Sequence, residues 1–306
     1  MAKAYVFVRH GGPEVEALVD REPPRPGPGE LLVAVRAAGV NPVDHKLRGG
    51  YRRPGQAPAV LPEVFGSEAA GVVLEVGPGV TGFAVGDAVF GSTLTGGYAT
   101  HTLLPAGVAA HKPEGLSFAE AAVLPVAAAT AYDGIRQLAL PAGATLLVTG
   151  VGGGVGGNAA RLARHEGLRV LGTASEGKRE YVESLGVTHV ASGPRLAERV
   201  RALAPEGVDG VLDLVGGDHL RAVAELVADR TRLVTAGGKQ IVAELGGAPV
   251  ARARTAEVLD AVAALAVADV LRPHITAVYP LERAGEALRA VESGHARGKV
   301  VIEVAP

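Results

Sequence analysis

The chain has 306 residues, 48% of them hydrophobic, with 30 basic against 32 acidic residues and a formal charge of −2. That length suits two domains with sizeable cores, and the near-neutral balance argues against nucleic acid as the main partner. There is no cysteine, which excludes disulfides and thiolate-ligated zinc and fits a cytoplasmic protein.

Residues 1–115 read as β-rich. Short branched or apolar runs at Tyr5–Val8, Leu31–Val35, Gly71–Val76, Ala88–Phe90 and Tyr98–Leu103 are separated by turn residues such as Pro26–Gly27–Pro28–Gly29 and Gly77–Pro78–Gly79. Strands at this spacing predict a small barrel-like domain. One short helix is expected at Pro42–Arg48, with Pro42 in its first turn. The leading MAKAYVFVRHGGPE is too charged for a secretion signal, and no run of about 18 apolar residues offers a membrane span.

Near Ser117 the rhythm changes. Ser117–Phe118–Ala119–Glu120 is a capping-box pattern before the alanine-rich run Ala121–Tyr132. Strands and helices then alternate: Leu146–Val148, Val170–Ala174, His189–Ala191, Gly210–Val215 and Leu233–Ala236, with helical patterns between them. Alternation of this kind means βαβ units and a parallel sheet. An amphipathic helix around Val258–Ala266 follows. Beyond Leu271, a strand at Ile275–Tyr279, a helix over Ala284–Val291 and a strand at Lys299–Val304 could rejoin the first domain. The expected division is therefore 1–116 with 271–306, and 117–270.

The stretch TLLVTGVGGGVGGNAARLARHE, from Thr145 to Glu166, is an apolar strand, six glycines between Gly150 and Gly157, and a helix. That is the context a dinucleotide fingerprint needs: glycines let the backbone approach a pyrophosphate, whose charge faces the unpaired N–H groups of the helix start. Two registers fit, Gly152/Gly154/Gly157 and Val151/Gly153/Gly156, and both use the turn Gly152, Gly153, Gly154, Val155 and Gly156.

The ordered set GGPE (11–14), AAGVNPVD (37–44), GSEAAGVV (66–73), GGYAT (96–100), TAY (130–132), GGGVGG (152–157), LDLVGG (212–217) and GKVVIEV (298–304) resembles the medium-chain dehydrogenase/reductase superfamily. More narrowly it resembles the zinc-independent, quinone oxidoreductase-like branch. The resemblance covers almost the whole chain. It implies a GroES-like substrate domain interrupted by a Rossmann domain, an active site in the cleft between them, and a homodimer. Zinc-dependent relatives place a histidine after the glycine matching Gly66 and a cysteine around Gly39–Asp44. Here Ser67 and Val40–Asn41 stand in those places.

The second strand of the nucleotide domain ends in Ala174–Ser175, where NAD-preferring proteins often carry an acidic residue. Ser175, Lys178 and Arg179 offer donors and positive charge for a 2′-phosphate, so NADPH is the expected cofactor, with the nearby Glu176 opposing. The resemblance adds Lys299, and beside it Arg297, as candidates for cofactor contact; either could be a strand-end surface charge.

Hydride transfer needs orientation of the nicotinamide and a proton or hydrogen bond for the reduced acceptor. The candidates are Asn41, which is otherwise a turn residue before Pro42, and two that the resemblance supplies: Tyr51, similar to a family tyrosine near the substrate and otherwise a loop plug, and Thr130, similar to a threonine near the nicotinamide and otherwise a mid-helix residue bonding its own backbone. Asp44 reads as structural. His45 and Lys46 depart from the threonine and tyrosine common in relatives, which leaves substrate preference open. The expected activity is metal-free, NADPH-dependent reduction of a quinone or α,β-unsaturated carbonyl, a small-molecule substrate. The alternatives are an enoyl-thioester reductase and a non-catalytic NADPH-binding protein.

Overall fold

The structure, a computed structural model, describes residues 1–52, 60–294 and 296–305. The chain divides into two compact units: Met1–Val126 with Arg254–Val267 and Ile275–Pro306, and Ala127–Ala253 with Ala268–His274. The segment Arg254–Val267 clusters with the first unit, whereas the sequence pattern drew its boundary at residue 270. Its helix Ala256–Val267 packs on the strand Ala109–His111 and buries Leu259, Val262, Ala263 and Ala266. Periodicity identifies an apolar face without saying which sheet will cover it.

The first unit is built on one long strand, Glu30–Val40. Register shifts after Leu32 and after Val35 bend it, so that it pairs with Glu68–Val76, His101–Pro105 and Lys299–Glu303. Ala88–Ser92, Ala109–His111 and Ile275–Pro280 complete a seven-stranded sheet, and Glu16–Arg21, Ala2–Phe7 and Glu63–Val64 form a second, three-stranded one. The C-terminal tail does rejoin this unit. Its last strand puts Val300 and Ile302 into a core with Phe7, Phe65 and Tyr98, and helix Ala284–Glu292 adds Ala287 and Leu288.

Several expected elements are shifted. The strand anticipated at Tyr98 begins at His101, and Tyr98 instead lies fully buried in the core. The capping box at Ser117 forms, with Glu120 N–H donating to Ser117 Oγ (3.2 Å) and Ser117 N–H to Glu120 Oε2 (2.9 Å). The helix it starts is only Phe118–Ala121. A wider, π-type turn spans Leu124–Ala128 before helix Ala129–Leu138. Pro125 lacks an amide hydrogen and its ring crowds the preceding turn, so a regular helix cannot run through it.

In the second unit the parallel strands lie in the order Thr188–Ala191, Arg169–Ala174, Thr145–Thr149, Gly210–Asp213, Leu233–Thr235, Ala248–Pro249. Numbered along the chain this is 3-2-1-4-5-6, the Rossmann order. Its direction reverses beside Thr145–Thr149, and ligands of such sheets lie at the carboxyl ends there. The last strand and the helix before it, Lys239–Glu244, carry no clear sequence signal.

Helix Pro42–Arg48 forms over the expected residues and is anchored at its end by Arg48, 3% exposed. The guanidinium pairs with buried Glu16, donates to Glu292 Oε1 (2.7 Å) and to the Gly11 carbonyl (3.2 Å), while Tyr5 Oη donates to Glu16 Oε2 (2.9 Å). A buried pair adds little net stability, but removing one partner strands the other charge. Arg48→Met should therefore cost roughly 3–5 kcal/mol in urea unfolding, and adding Glu16→Gln should recover most of it. An unchanged midpoint in the single variant would show that water reaches Glu16.

Candidate functional site

The glycine turn leads into helix Gly154–His165, with Gly153 as its N-cap. The packing of the turn favours one of the two registers. A Cβ on Gly156 would lie 2.5 Å from both the Gly150 carbonyl oxygen and Val151 Cα, so only glycine lets the helix pack this close to the turn. At Gly153 a Cβ would meet nothing nearer than the Gly150 oxygen at 3.5 Å. Val151 is buried, and its N–H donates to the Thr173 carbonyl (3.0 Å). Tight turn, open approach and close packing thus fall on Val151, Gly153 and Gly156, the second register. The space before Gly153 and the helix N-terminus fits a pyrophosphate.

The basic residues are arranged beside this turn. Lys178 lies across it, its Cδ 2.6 Å from where a Gly152 Cβ would stand. Ser175 is exposed at the end of strand Arg169–Ala174. Arg179 is turned to its own carboxylates: Nε and Nη2 donate to Glu176 (2.6 and 3.1 Å) and Nη1 to Glu183 (3.2 Å). That guanidinium holds the Glu176 carboxyl below its ordinary range. The acid that opposed the phosphate reading is therefore already countered by Arg179.

In the first unit the candidates converge on a carboxylate that the sequence analysis passed over. Glu68 is completely buried. Its Oε1 accepts from Lys299 Nζ (2.9 Å) and Asn41 Nδ2 (2.8 Å), and its Oε2 accepts from the Val126 N–H (2.7 Å). Lys299 is 4% exposed and also donates to Asn41 Oδ1 (2.7 Å) and the Val40 carbonyl (3.0 Å). An ammonium has three donors, and these acceptors use all of them. Lys299 is thus a buried partner of Glu68 and Asn41 rather than a surface charge. Asn41 is equally engaged, 5% exposed with its amide turned inward, so in this arrangement it offers no donor to an acceptor oxygen.

Asp44 extends the cluster. Its Oδ2 accepts from the Asn41 N–H and from Tyr98 Oη, both at 2.8 Å, and its Oδ1 from Ser67 Oγ at 3.2 Å. Burial pushes the Asp44 carboxyl up to about 6; the Asn41 and Tyr98 bonds and the Lys299 charge pull the other way, and Glu68 adds to the rise. Tyr98 is pushed well above the usual phenol value by its own burial and by Asp44.

The remaining candidates are more open or lie in the other unit. Tyr51 is 45% exposed just beyond helix Pro42–Arg48, its N–H donating to the Lys46 carbonyl (2.9 Å). His45 Nδ1 stands 3.7 Å from Glu292 Oε1, and partial burial holds the imidazole below its ordinary value. Thr130 is buried in the second unit. Its hydroxyl oxygen accepts from Arg252, whose Nε donates to Asp133 Oδ2 at 3.0 Å. Glu68 was detectable as a carboxylate in the apolar run GSEAAGVV, and Tyr98 as the aromatic of GGYAT; the long-range partners were not.

Two family models match the chain, an alcohol dehydrogenase GroES-like domain over residues 27–132 and a zinc-binding dehydrogenase over residues 185–302. The quinone oxidoreductase from Coxiella burnetii is 30% identical and superposes with a TM-score of 0.89, 99% of each chain being covered. A mycobacterial protein, Rv1454c, solved in complex with NADPH, is also 30% identical, with a TM-score of 0.87 over 99% of this chain and 100% of that one. The chain belongs to the medium-chain dehydrogenase/reductase family, within its quinone oxidoreductase-like branch. Among curated proteins, a mycocerosic acid synthase-like polyketide synthase of Mycobacterium tuberculosis is 34% identical over 94% of this chain. The polyketide synthase component PikAII of Streptomyces venezuelae is 36% identical over 90%. The chain spans only 15% and 8% of the lengths of those two synthases.

The Asp44 carboxyl gives the cluster a pH signature. Folding raises its pKa from the ordinary 3.8 to about 6, so between those values the folded chain holds a proton that the unfolded chain has lost. Its contribution is full below about pH 4 and is lost as pH rises through 6, on the order of 2–3 kcal/mol. Urea midpoints from pH 4 to 7 should show this decline in the parent and a flatter profile in Asp44→Asn. Parallel profiles would remove Asp44 as its source.

Proposed function

We propose that the chain is an NADPH-dependent oxidoreductase that reduces a quinone or an α,β-unsaturated carbonyl without metal. The observation that carries this is the glycine turn in its Val151/Gly153/Gly156 register with Lys178 lying across it and Glu176 drawn to Arg179. Backbone N–H groups at the helix start hold the pyrophosphate, and Lys178 with Ser175 meets the 2′-phosphate. The NADPH complex of Rv1454c and the likeness to a quinone oxidoreductase support this reading. When bound, the cofactor supplies hydride.

The chain supplies orientation and a proton. Tyr51, the exposed phenol, donates to the oxygen of the reduced acceptor, and Thr130, backed by Arg252 and Asp133, orients the nicotinamide. Asn41 acts from within the cluster, fixing the start of helix Pro42–Arg48. The reading routes no step through zinc, in keeping with a chain without cysteine in which Ser67 Oγ bonds Asp44. The polyketide synthase relatives favour a second reading, an enoyl-thioester reductase, with the same cofactor and the same phenol.

In a fluorescence titration NADPH should bind at least tenfold more tightly than NADH, about 1.4 kcal/mol, and Lys178→Ala should erase most of that gap. Equal affinities in the parent would sink the phosphate subsite.

Initial rates of NADPH oxidation with a naphthoquinone, an enone and an enoyl thioester then separate the substrate classes. Tyr51→Phe should slow the preferred reaction roughly 100-fold or more while leaving NADPH affinity unchanged. A parent-like rate would make Tyr51 a packing residue. Saturable NADPH binding without turnover of any acceptor would make the protein a non-catalytic NADPH binder.

A further inference from the structure

Asp213 ends the strand Gly210–Asp213, in the middle of the second unit's sheet, and is fully buried. A carboxylate in that position is tolerated only if its lone pairs are filled. They are. Oδ1 accepts from Thr149 Oγ1 (2.6 Å) and from the N–H groups of Val215 (3.3 Å) and Gly216 (3.2 Å). Oδ2 accepts from Thr235 Oγ1 (2.6 Å) and from Gly216 N–H (3.0 Å).

The two threonines end the neighbouring strands, Thr145–Thr149 on one side and Leu233–Thr235 on the other. Each hydroxyl oxygen in turn accepts from a loop. Thr149 Oγ1 takes the Leu214 N–H (3.0 Å), and Thr235 Oγ1 takes those of Gly237 and Gly238 (both 3.0 Å). One carboxylate therefore ties down the exits of three adjacent parallel strands. The loops also touch. Gly216 has φ +79°, and a Cβ there would sit 2.6 Å from the Gly237 carbonyl oxygen. A Cβ on Gly150, in the glycine turn, would sit 3.0 Å from Val215 Cγ2, and Val215 itself is 45% exposed.

All of this lies at the carboxyl ends of the strands where the sheet order reverses, beside the turn assigned to the pyrophosphate. We propose that Asp213 is a positioning residue for the dinucleotide: through Thr149 and Thr235 it locks residues 214–217 and 236–238 into a preformed surface beside the glycine turn. Glycine-rich loops left unlatched would be ordered only on binding, and that entropy would be subtracted from affinity. The proposal rests on the NADPH reading and names residues that reading did not use.

The test measures NADPH dissociation constants by titration, thermal midpoints, and amide hydrogen exchange at 214–217 and 236–238 in the protein without cofactor. Asp213→Asn, Thr149→Val and Thr235→Val should each weaken NADPH binding at least tenfold and speed exchange at those loops. Thr149→Ser and Thr235→Ser, which keep the hydroxyl, should stay within about twofold of the parent. Parent-like affinity in folded Asn and Val variants would overturn the proposal, as would serine variants that lose affinity as badly as valine ones. Should Asp213→Asn fail to fold, the threonine series decides alone. A parent that shows no saturable NADPH binding would instead overturn the functional reading beneath it, and this proposal with it.

Discussion

The polar centre of the first unit depends on one buried carboxylate. Glu68 sits where water is excluded, and every group that compensates it comes from a different part of the chain: Lys299 from the last strand, Asn41 from a helix cap, the Val126 N–H from the turn after Pro125. The antiparallel pairing of Lys299–Glu303 with Glu30–Val40 delivers the ammonium, because Val300 stands opposite Val40 and Lys299 is thereby set beside Val40 and Asn41. The desolvation of such a pair offsets most of its attraction, so its net contribution is small. What it imposes is uniqueness. If the tail pairs out of register, Glu68 is left buried and unpaired, and that arrangement is strongly penalised.

The second unit uses the same physics with neutral partners. Asp213 has no counter-ion among its hydrogen-bond partners; hydroxyl and backbone N–H groups fill its lone pairs. In a low dielectric such bonds reinforce one another, and a fully satisfied network is rigid. Rigidity at the ends of parallel strands matters for a hydride enzyme, whose rate depends on holding two reactants in one geometry. Asp44 is the intermediate case. It is buried like the other two and accepts three hydrogen bonds, as Glu68 does, but all from neutral donors, and its burial raises the carboxyl's pKa.

Local signals were legible in the sequence because they depend on neighbours within a few residues. Pro42 at the start of a helix, Ser117 with Glu120 as a capping box, and strand–glycine–helix at Thr145–Glu166 all appear as read. The shape of the buried network was not legible. Lys299 and Glu68 are 231 positions apart, and a lysine opening a strand looks like a surface charge. Glu68 and Asp213 each stand as an acid beside an apolar run, and nothing local to either run shows what partners its carboxylate will meet in the interior. The alanine-rich run Ala121–Tyr132 reads as one segment, yet the structure breaks it at Pro125 with a wider turn whose Val126 N–H is turned to Glu68.

Under the proposed function, the inward commitment of Asn41 bears on where a reduced acceptor would find its proton. An amide whose oxygen accepts from Lys299 and whose nitrogen donates to Glu68 can turn outward only by leaving an ammonium and a carboxylate both short of a partner in the interior. That loss exceeds the return from a single neutral hydrogen bond to substrate. Asp44 and Tyr98 are closed off in the same way, each bonded to the other and buried. Tyr51 differs, since it is nearly half exposed while the helix before it is held by the Arg48–Glu16 pair. Under the proposed function a proton donor needs access to the acceptor and a fixed origin, and of Asn41, Asp44, Tyr98 and Tyr51 it is Tyr51 whose exposure suits that role.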